Sequence, residues 1–307
     1  MKHNWEITAI LLAMFIVTQF IGLYVVNAYS PVQVVSGNLV NVDSPDLPFG
    51  MQSPEIENES DYFRTVLPSL IIAFIIAISI LILLMKFNVS FILKIWFFGV
   101  VIIAISISLI AIFPFLQKFT WIALLISLPF AFVKIFRRSF FIHNLTELFI
   151  YPGIAAVFVA ILNIWTIIAL LIIISIYDMW AVWKSGIMQK MAKYQIDKVG
   201  VLAGFFIPNA SKKVKGKIKN MTKSELKKSK IKVNVAILGG GDVVFPIIAA
   251  GVILKTWGLW PAICVIIGAT IGLASLFLLA KKKKFYPAMP FISAGIFLGM
   301  ICAYLLF

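Results

Sequence analysis

One stretch of the sequence reads Ile237-Leu238-Gly239-Gly240-Gly241-Asp242-Val243-Val244-Phe245-Pro246 and places a carboxylate after three glycines inside a long apolar segment. Burying a carboxylate in hydrocarbon costs several kcal/mol on most scales, so an aspartate there predicts a functional site. A second aspartate, Asp178, lies in another long apolar run, Ser175-Ile176-Tyr177-Asp178-Met179-Trp180. Asp178 and Asp242 are therefore the candidate active-site pair.

The composition around these two stretches is that of a polytopic membrane protein. Of 307 residues, 62% are hydrophobic and 13% are charged, against a charged fraction of about 25% in soluble domains. The net charge of +15 comes from lysines in the gaps between apolar runs, where cytoplasmic loops collect them, so no nucleic-acid partner is predicted. Cys264 and Cys302 both lie in apolar runs, which predicts packing residues and no disulfide.

Nine apolar runs are long enough to cross a bilayer as helices, which need about 20 residues each. The predicted spans are 7–29, 66–85, a third that follows Lys94 and ends near Leu116, 120–136, 148–162, 165–183, 233–254, 257–280 and 285–307. The predicted fold is an all-α polytopic membrane protein in three parts. Residues 1–183 form spans one to six, residues 184–232 a basic loop, and residues 233–307 spans seven to nine.

Lysine and arginine collect on one side of this topology. Cytoplasmic loops are enriched in both residues. With the N-terminus in the cytoplasm, the inner loops hold Lys86, Lys94, the cluster at Lys134, the fourteen lysines of residues 184–232 and the block at 281–284. The outer loops then hold Arg64, Lys118 and Lys255. The sequence therefore predicts a multi-pass cell-membrane protein with a cytoplasmic N-terminus and an extracytoplasmic C-terminus.

The two aspartates are predicted to reach the same depth. Consecutive spans run antiparallel, so both lie toward the cytoplasmic side. At 1.5 Å per residue, Asp178 is about 9 Å from Lys184 and Asp242 about 14 Å from Val233. The glycines before Asp242 would let another backbone approach closely. The sixth span offers a small, polar face made of Ser175, Asp178, Ala181 and Ser185.

Two carboxylates a few ångströms apart cannot both ionise readily, so they share a proton. One can then activate water as a base while the other polarises a scissile carbonyl as an acid. Metal chemistry is not predicted, because His3 and His143 are the only histidines and no His-Glu-x-x-His motif exists. Neither histidine falls in a predicted span, which argues against a serine protease. The alternative is a transporter or channel whose paired aspartates carry protons or bind a cation.

Three short motifs carry a family resemblance. Tyr177-Asp178 and Gly239-Gly240-Gly241-Asp242 resemble the Tyr-Asp and Gly-x-Gly-Asp motifs of the presenilin and signal peptide peptidase intramembrane aspartyl proteases. Pro287-Ala288-Met289 stands where the family's Pro-Ala-Leu opens the ninth span. Exchanging Leu for Met nearly preserves volume and polarity. The three motifs occur in the family's order, each on its expected span.

The resemblance implies an intramembrane endopeptidase that cleaves transmembrane segments of substrates in the lipid bilayer, with Asp178 and Asp242 catalytic and with neither metal nor cofactor. It implies that Tyr177, Gly239, Gly240, Gly241, Pro287, Ala288 and Met289 shape the site or seat the substrate. The N-inside orientation is similar to that of presenilin and inverted relative to signal peptide peptidases. A microbial, archaeal homologue is predicted, and no obligate accessory subunit is inferred.

Overall fold

A computed structural model describes residues 5–30, 32–35, 38–41, 47–51, 62–87, 89–137, 139–185, 203–209, 234–280 and 286–307. Within these ranges nine helices are long and apolar enough to cross a membrane. The predicted fold class, an all-α polytopic membrane protein, is confirmed. Most of the basic loop, including its lysines from 190 to 232, lies outside the described residues.

The helices follow one another along the chain with short connections, except at residues 29–66 and 181–239. They are α1 (Trp5–Ala28), α2 (Leu67–Lys86), α3 (Ser90–Ile112), α4 (Thr120–Phe132), α5 (Phe140–Ile161), α6 (Ile164–Trp180), α7 (Gly240–Trp257), α8 (Leu259–Leu279) and α9 (Met289–Leu306). Two antiparallel strand pairs accompany them: β1 (Val32–Val35) with β2 (Asn38–Asn41), and β3 (Gly204–Asn209) with β4 (Asn234–Gly239). Single π-helical turns continue α4 and α6, at Val133–Arg137 and Ala181–Ser185.

The seventh span begins later than predicted. Residues 234–239 form β4, and the helix starts only at Gly240. The apolar run hid this change because a short apolar segment fits a strand as well as a helix. In β4, Ala236 and Leu238 are buried while Ile237 is exposed, which is the alternation of a strand. Asp242 therefore lies in the first turn of α7, and its predicted depth of about 14 Å along a helix was wrong.

The fifth span begins earlier than predicted, at Phe140 rather than near residue 148. Its first turns carry the polar residues His143, Asn144 and Glu147, all buried. Polar side chains in a span are costly unless they are paired, and these residues find partners in Lys134 and β3. The expectation that no histidine lies in a span was thus wrong. Among the residues that the structure describes, the polar contacts of the His143 ring are with Lys134, Glu147 and the Gly204 carbonyl, so they do not include the serine that a serine protease would pair with this ring.

Strand β3 falls inside the segment that was predicted to be a basic loop. It pairs with β4 along its whole length, with Gly204 opposite Gly239 and Asn209 opposite Asn234. Phe205 is fully buried, so this part of the segment enters the protein core. The local signal is the apolar run Gly204-Phe205-Phe206-Ile207-Pro208 amid lysine-rich sequence.

Helices α8 and α9 pack with their backbones in close approach. A Cβ added at Gly268 would overlap the carbonyl oxygen of Gly295, and one added at Gly272 would overlap that of Phe291. Backbones approach this closely only where small residues line both helices. Helix α9 also packs against α6, and α7 packs against α1, α5 and α8. The start of α9 is therefore held beside the end of α6, next to the start of α7.

Candidate active site

Asp178 is buried near the C-terminal end of α6. The helix begins at a capping box, in which Asn163 Oδ1 accepts from the Thr166 N–H at 2.9 Å and Thr166 Oγ1 accepts from the Asn163 N–H at 2.9 Å. Asp178 is only 7% exposed, and its Oδ2 accepts a hydrogen bond from the Met289 N–H at 3.0 Å. The Ala288 backbone also faces this carboxylate. The Pro-Ala-Met segment thus supplies backbone donors to the first aspartate.

Asp242 occupies the third position of α7, and Gly239 is the N-cap. The backbone of Gly239 faces the Asp242 carboxylate, as an acidic side chain at this position commonly folds back onto the N-cap N–H. The positive end of the helix dipole also points at this carboxylate. Asp242 is partly exposed, and its carboxylate is close enough to that of Asp178 for their charges to interact. The structure therefore brings the two predicted aspartates together, each facing backbone donors.

The three glycines before Asp242 have different surroundings. A Cβ on Gly239 would lie 3.1 Å from Asp242 Oδ2, so the absence of a side chain leaves room for the carboxylate. A Cβ on Gly240 would lie 2.9 Å from the ring and hydroxyl of Tyr151, which is buried on α5. Gly241 is exposed, and a Cβ there would meet Phe245 only at an ordinary 3.7 Å. The motif is therefore tightest at Gly240 and open at Gly241.

The remaining predicted residues lie around the two aspartates. Pro287 is buried just before α9, which begins at Met289. Ser175 Oγ lies 2.9 Å from Ser293 Oγ, which ties α6 to α9 one turn from Asp178. Ala181 is buried in the turn that continues α6, whereas the side chain of Ser185 lies outside the described residues. The small face predicted on α6 is thus the face that meets α9.

Tyr177 points away from this contact. Its ring makes an edge-to-face contact with Phe74 of α2, with the ring centroids 5.4 Å apart, and a tilted contact with Trp180 at 6.2 Å. Helix α2 is largely exposed. Tyr177 is therefore a bridge between α6 and a helix at the edge of the bundle.

Several polar residues near the site were missed by the sequence analysis. Gln19 of α1 is fully buried and donates from Nε2 to the Val243 carbonyl at 3.1 Å, one residue after Asp242. Tyr151 lies beside both Glu147 and Asp242. Lys134, which was counted as a loop charge, is 4% exposed and bonds Glu147 Oε1 at 2.7 Å. The sequence showed these polar residues in or next to apolar runs. Nothing in the local sequence indicated which distant side chains they contact.

The part of the chain that the structure describes contains no group of three histidine, cysteine, aspartate or glutamate side chains that could hold a metal ion. The arrangement instead offers two carboxylates, backbone donors and a partly open face at Gly241. Such a pair can exchange protons with water and with a polarised carbonyl.

The sequence matches a family model described as signal-peptide peptidase, presenilin aspartyl protease, over residues 32–307. No curated protein matches the sequence significantly. The fold is similar to two solved structures of a presenilin family intramembrane aspartate protease. The one in space group C222 is 14% identical with a TM-score of 0.61, covering 98% of this chain and 99% of that one. The one in space group P2 is 15% identical with a TM-score of 0.60, covering 97% of each chain.

The different surroundings of Gly240 and Gly241 generate a stability prediction. Gly240→Ala forces Tyr151 to move in a packed interior and should lower the free energy of unfolding by about 1–3 kcal/mol, the usual cost of overpacking. Gly241→Ala is the matched control and should be close to neutral. Thermal unfolding of both variants in the same detergent measures the difference. Equal stability of the two variants would show that Tyr151 does not fill the space at Gly240.

Proposed function

The chain belongs to the signal-peptide peptidase and presenilin aspartyl protease family, and from this membership we propose that Asp178 and Asp242 are its catalytic pair. As a member, the protein is an intramembrane aspartyl protease and a multi-pass membrane protein that acts on transmembrane substrates in a lipid bilayer. The family favours proteolysis over the transporter alternative, in which the same carboxylates would carry protons or a cation.

The observation that carries the assignment is that two carboxylates from different spans lie close enough to interact electrostatically. Asp178 accepts from the Met289 N–H, Asp242 faces the Gly239 backbone, and the two lie within electrostatic range. These backbone donors orient both side chains without neutralising either of them. Two carboxylates held in this way share a proton and titrate as one unit.

The shared proton gives the pair complementary roles. The ionised carboxylate removes a proton from a water molecule as it attacks the scissile carbonyl carbon. The protonated carboxylic acid hydrogen-bonds to the carbonyl oxygen and stabilises the charge that develops there. Proton transfer to the leaving nitrogen then completes hydrolysis. Either aspartate can take either role, so the proton belongs to the pair.

A helical substrate must unwind before the pair can reach its backbone. In a helix each carbonyl is bonded to the N–H four residues on, and freed backbone groups inside a membrane protein need new partners. We infer that the substrate lies between residues 239–242 and 287–289 and pairs as an extended strand. The edge of β4 that faces away from β3 offers backbone groups for this pairing. Tyr177 then supports α6 from the side of α2.

Replacing either aspartate by asparagine should abolish cleavage of a single-span substrate. Asp178→Asn keeps an oxygen acceptor for the Met289 N–H, so folding should be retained while the acid–base function is lost. We expect turnover to fall at least about 100-fold in each variant. Product formation by the purified full-length protein measures this loss, with Glu6→Gln, an exposed carboxylate change on α1, as the control. Full activity in either aspartate variant would refute the assignment.

The rate should depend on pH through a bell-shaped curve. Activity requires one proton on the pair: at acid pH both carboxylates are protonated and no base remains, whereas at alkaline pH both are ionised and no acid remains. Initial rates measured across the pH range in which the folded protein is stable would show both limbs. A rate that rises steadily with pH would contradict a shared proton.

Water should reach the site from the side of the basic loop, which we propose to be the cytoplasm. We expect cysteines placed at positions 241 and 288, in a background lacking Cys264 and Cys302, to react with a charged thiol reagent added on that side. A substrate-like peptide inhibitor should protect them. Position 240 is unsuitable because Gly240 is buried against Tyr151. Ile267→Cys, on the exposed apolar face of α8, is a lipid-facing control that should stay unlabelled.

Labelling in sealed vesicles of known orientation tests both the cavity and the topology. Reaction of positions 241 and 288 only from the opposite side would reverse the proposed orientation. Absence of reaction from both sides would exclude a water-filled site at these residues.

A further inference from the structure

Four buried polar side chains hold the backbone of β3 on the side away from β4. They are Lys134, at the end of the α4 span, and His143, Asn144 and Glu147, on the first two turns of α5; we call them the β3 clamp. Asn144 makes two hydrogen bonds to one residue. Its Nδ2 donates to the Phe206 carbonyl at 3.0 Å, and its Oδ1 accepts from the Phe206 N–H at 3.1 Å.

The other three members of the clamp meet at Gly204. Glu147 Oε1 accepts from the Gly204 N–H at 3.3 Å and from Lys134 Nζ at 2.7 Å. His143 Nε2 lies 2.8 Å from the Gly204 carbonyl, and His143 Nδ1 lies 3.3 Å from Lys134 Nζ. A neutral imidazole with its hydrogen on Nε2 satisfies both histidine contacts. Both backbone groups of Gly204 and of Phe206 are thus bonded to side chains.

These two residues define one edge of the strand. Gly240 donates to the Ala203 carbonyl at 3.3 Å, and bonded residues alternate along an antiparallel pair. Phe205 and Ile207 therefore face β4, while Gly204 and Phe206 face outward. The clamp occupies the outer edge of β3 as a third strand would. The same alternation turns the backbone groups of Ile237 and Gly239 toward the opposite edge of the sheet, beside Asp242.

The clamp also connects directly to the catalytic pair. Gly204 pairs with Gly239, which is three residues before Asp242 in the chain. The ring of Phe206 packs on His143, with ring centroids 4.3 Å apart, and Phe205 packs edge-on against Tyr151 at 5.7 Å.

The ion pair within the clamp is enclosed by protein. The side chains of Lys134 and Glu147 are 3% and 2% exposed. A buried ion pair adds little net stability compared with an apolar pair, and its best-attested use is to specify one arrangement.

We propose that the β3 clamp is a positioning device that sets where substrates are cut. It closes the outer edge of β3 to an added strand, so the edge of β4 beside Asp242 receives the substrate, and it fixes the register of the sheet. A shift of one residue in register moves every side chain to the opposite face, and would bring a different peptide bond to the aspartates. The inference rests on the proposed function, in which Asp178 and Asp242 are catalytic; no clamp residue touches the reacting atoms.

The test compares cleavage positions as well as rates. Asn144→Ala removes both bonds to Phe206, and His143→Phe removes the donor to Gly204 while keeping a ring against Phe206. With the full-length protein and a single-span substrate, mass spectrometry gives the termini of the products, and initial rates give kcat and KM. We expect the share of the main cleavage site to fall by about half or more in both variants, with neighbouring bonds gaining, because the register is no longer fixed.

Matched variants separate positioning from stability. Ser108→Ala removes another buried hydrogen bond to α5, from Ser108 Oγ to the Phe149 carbonyl, and should preserve the product pattern even if it lowers the unfolding temperature. The double variant Lys134→Met with Glu147→Gln removes both charges but retains an oxygen acceptor for the Gly204 N–H. It should stay closer to the wild-type pattern than the double variant Lys134→Met with Glu147→Leu, which also lacks both charges but has no acceptor for that N–H.

The outcomes are distinguishable. A wild-type product pattern in both Asn144→Ala and His143→Phe would overturn the positioning role and leave the clamp as a structural element. If one variant does not fold, the other supplies the same comparison. Persistent cleavage by Asp178→Asn or Asp242→Asn would instead refute the proposed function itself.

Discussion

Backbone hydrogen bonding inside an apolar interior is the constraint on which this structure depends. A transmembrane helix satisfies its own N–H and C=O groups, but a strand cannot. The β3–β4 pair satisfies one edge of each strand, and side chains from α5 and the end of the α4 span satisfy the other edge of β3. The buried polar residues of the fifth span follow from this need. Extended backbone next to Asp242 is possible because those residues are present.

The sequence predicted the architecture well where one physical property decided it. Long apolar runs can only be spans in a chain of this composition, and each of the nine described spans has at least one end within four residues of its predicted bound. Carboxylates in such runs are costly to bury, so Asp178 and Asp242 were the candidates that the sequence indicated for the active site. The motif Pro287-Ala288-Met289 indicated where the ninth span opens, although its helix begins at Met289, four residues after the predicted start at 285.

The sequence failed where long-range partners decide the structure. Residues 234–239 are apolar enough for a helix, and only pairing with residues 204–209 makes them a strand. His143 and Glu147 are too polar for a span until Lys134 and Gly204 are placed beside them. The tight fit at Gly240 depends on Tyr151, which is 89 positions away in the chain. Each failure concerns a contact between distant segments, which local periodicity does not encode.

The close packing of α8 against α9 has a mechanical consequence for the site. The glycine contacts between their backbones join the two helices into a single stiff body, so Met289 is anchored to the larger part of the bundle. Asp178 lies near one end of α6, and the other end of this helix is joined to α5 by the two-residue connection Leu162–Asn163. Fifteen residues separate Asn163 from Asp178, a lever arm of about 22 Å at 1.5 Å per residue. A tilt of α6 by about 3° would therefore move the carboxylate by about 1 Å, which is enough to make or break its bond to Met289. The Ser175–Ser293 hydrogen bond, one turn away, opposes such a tilt.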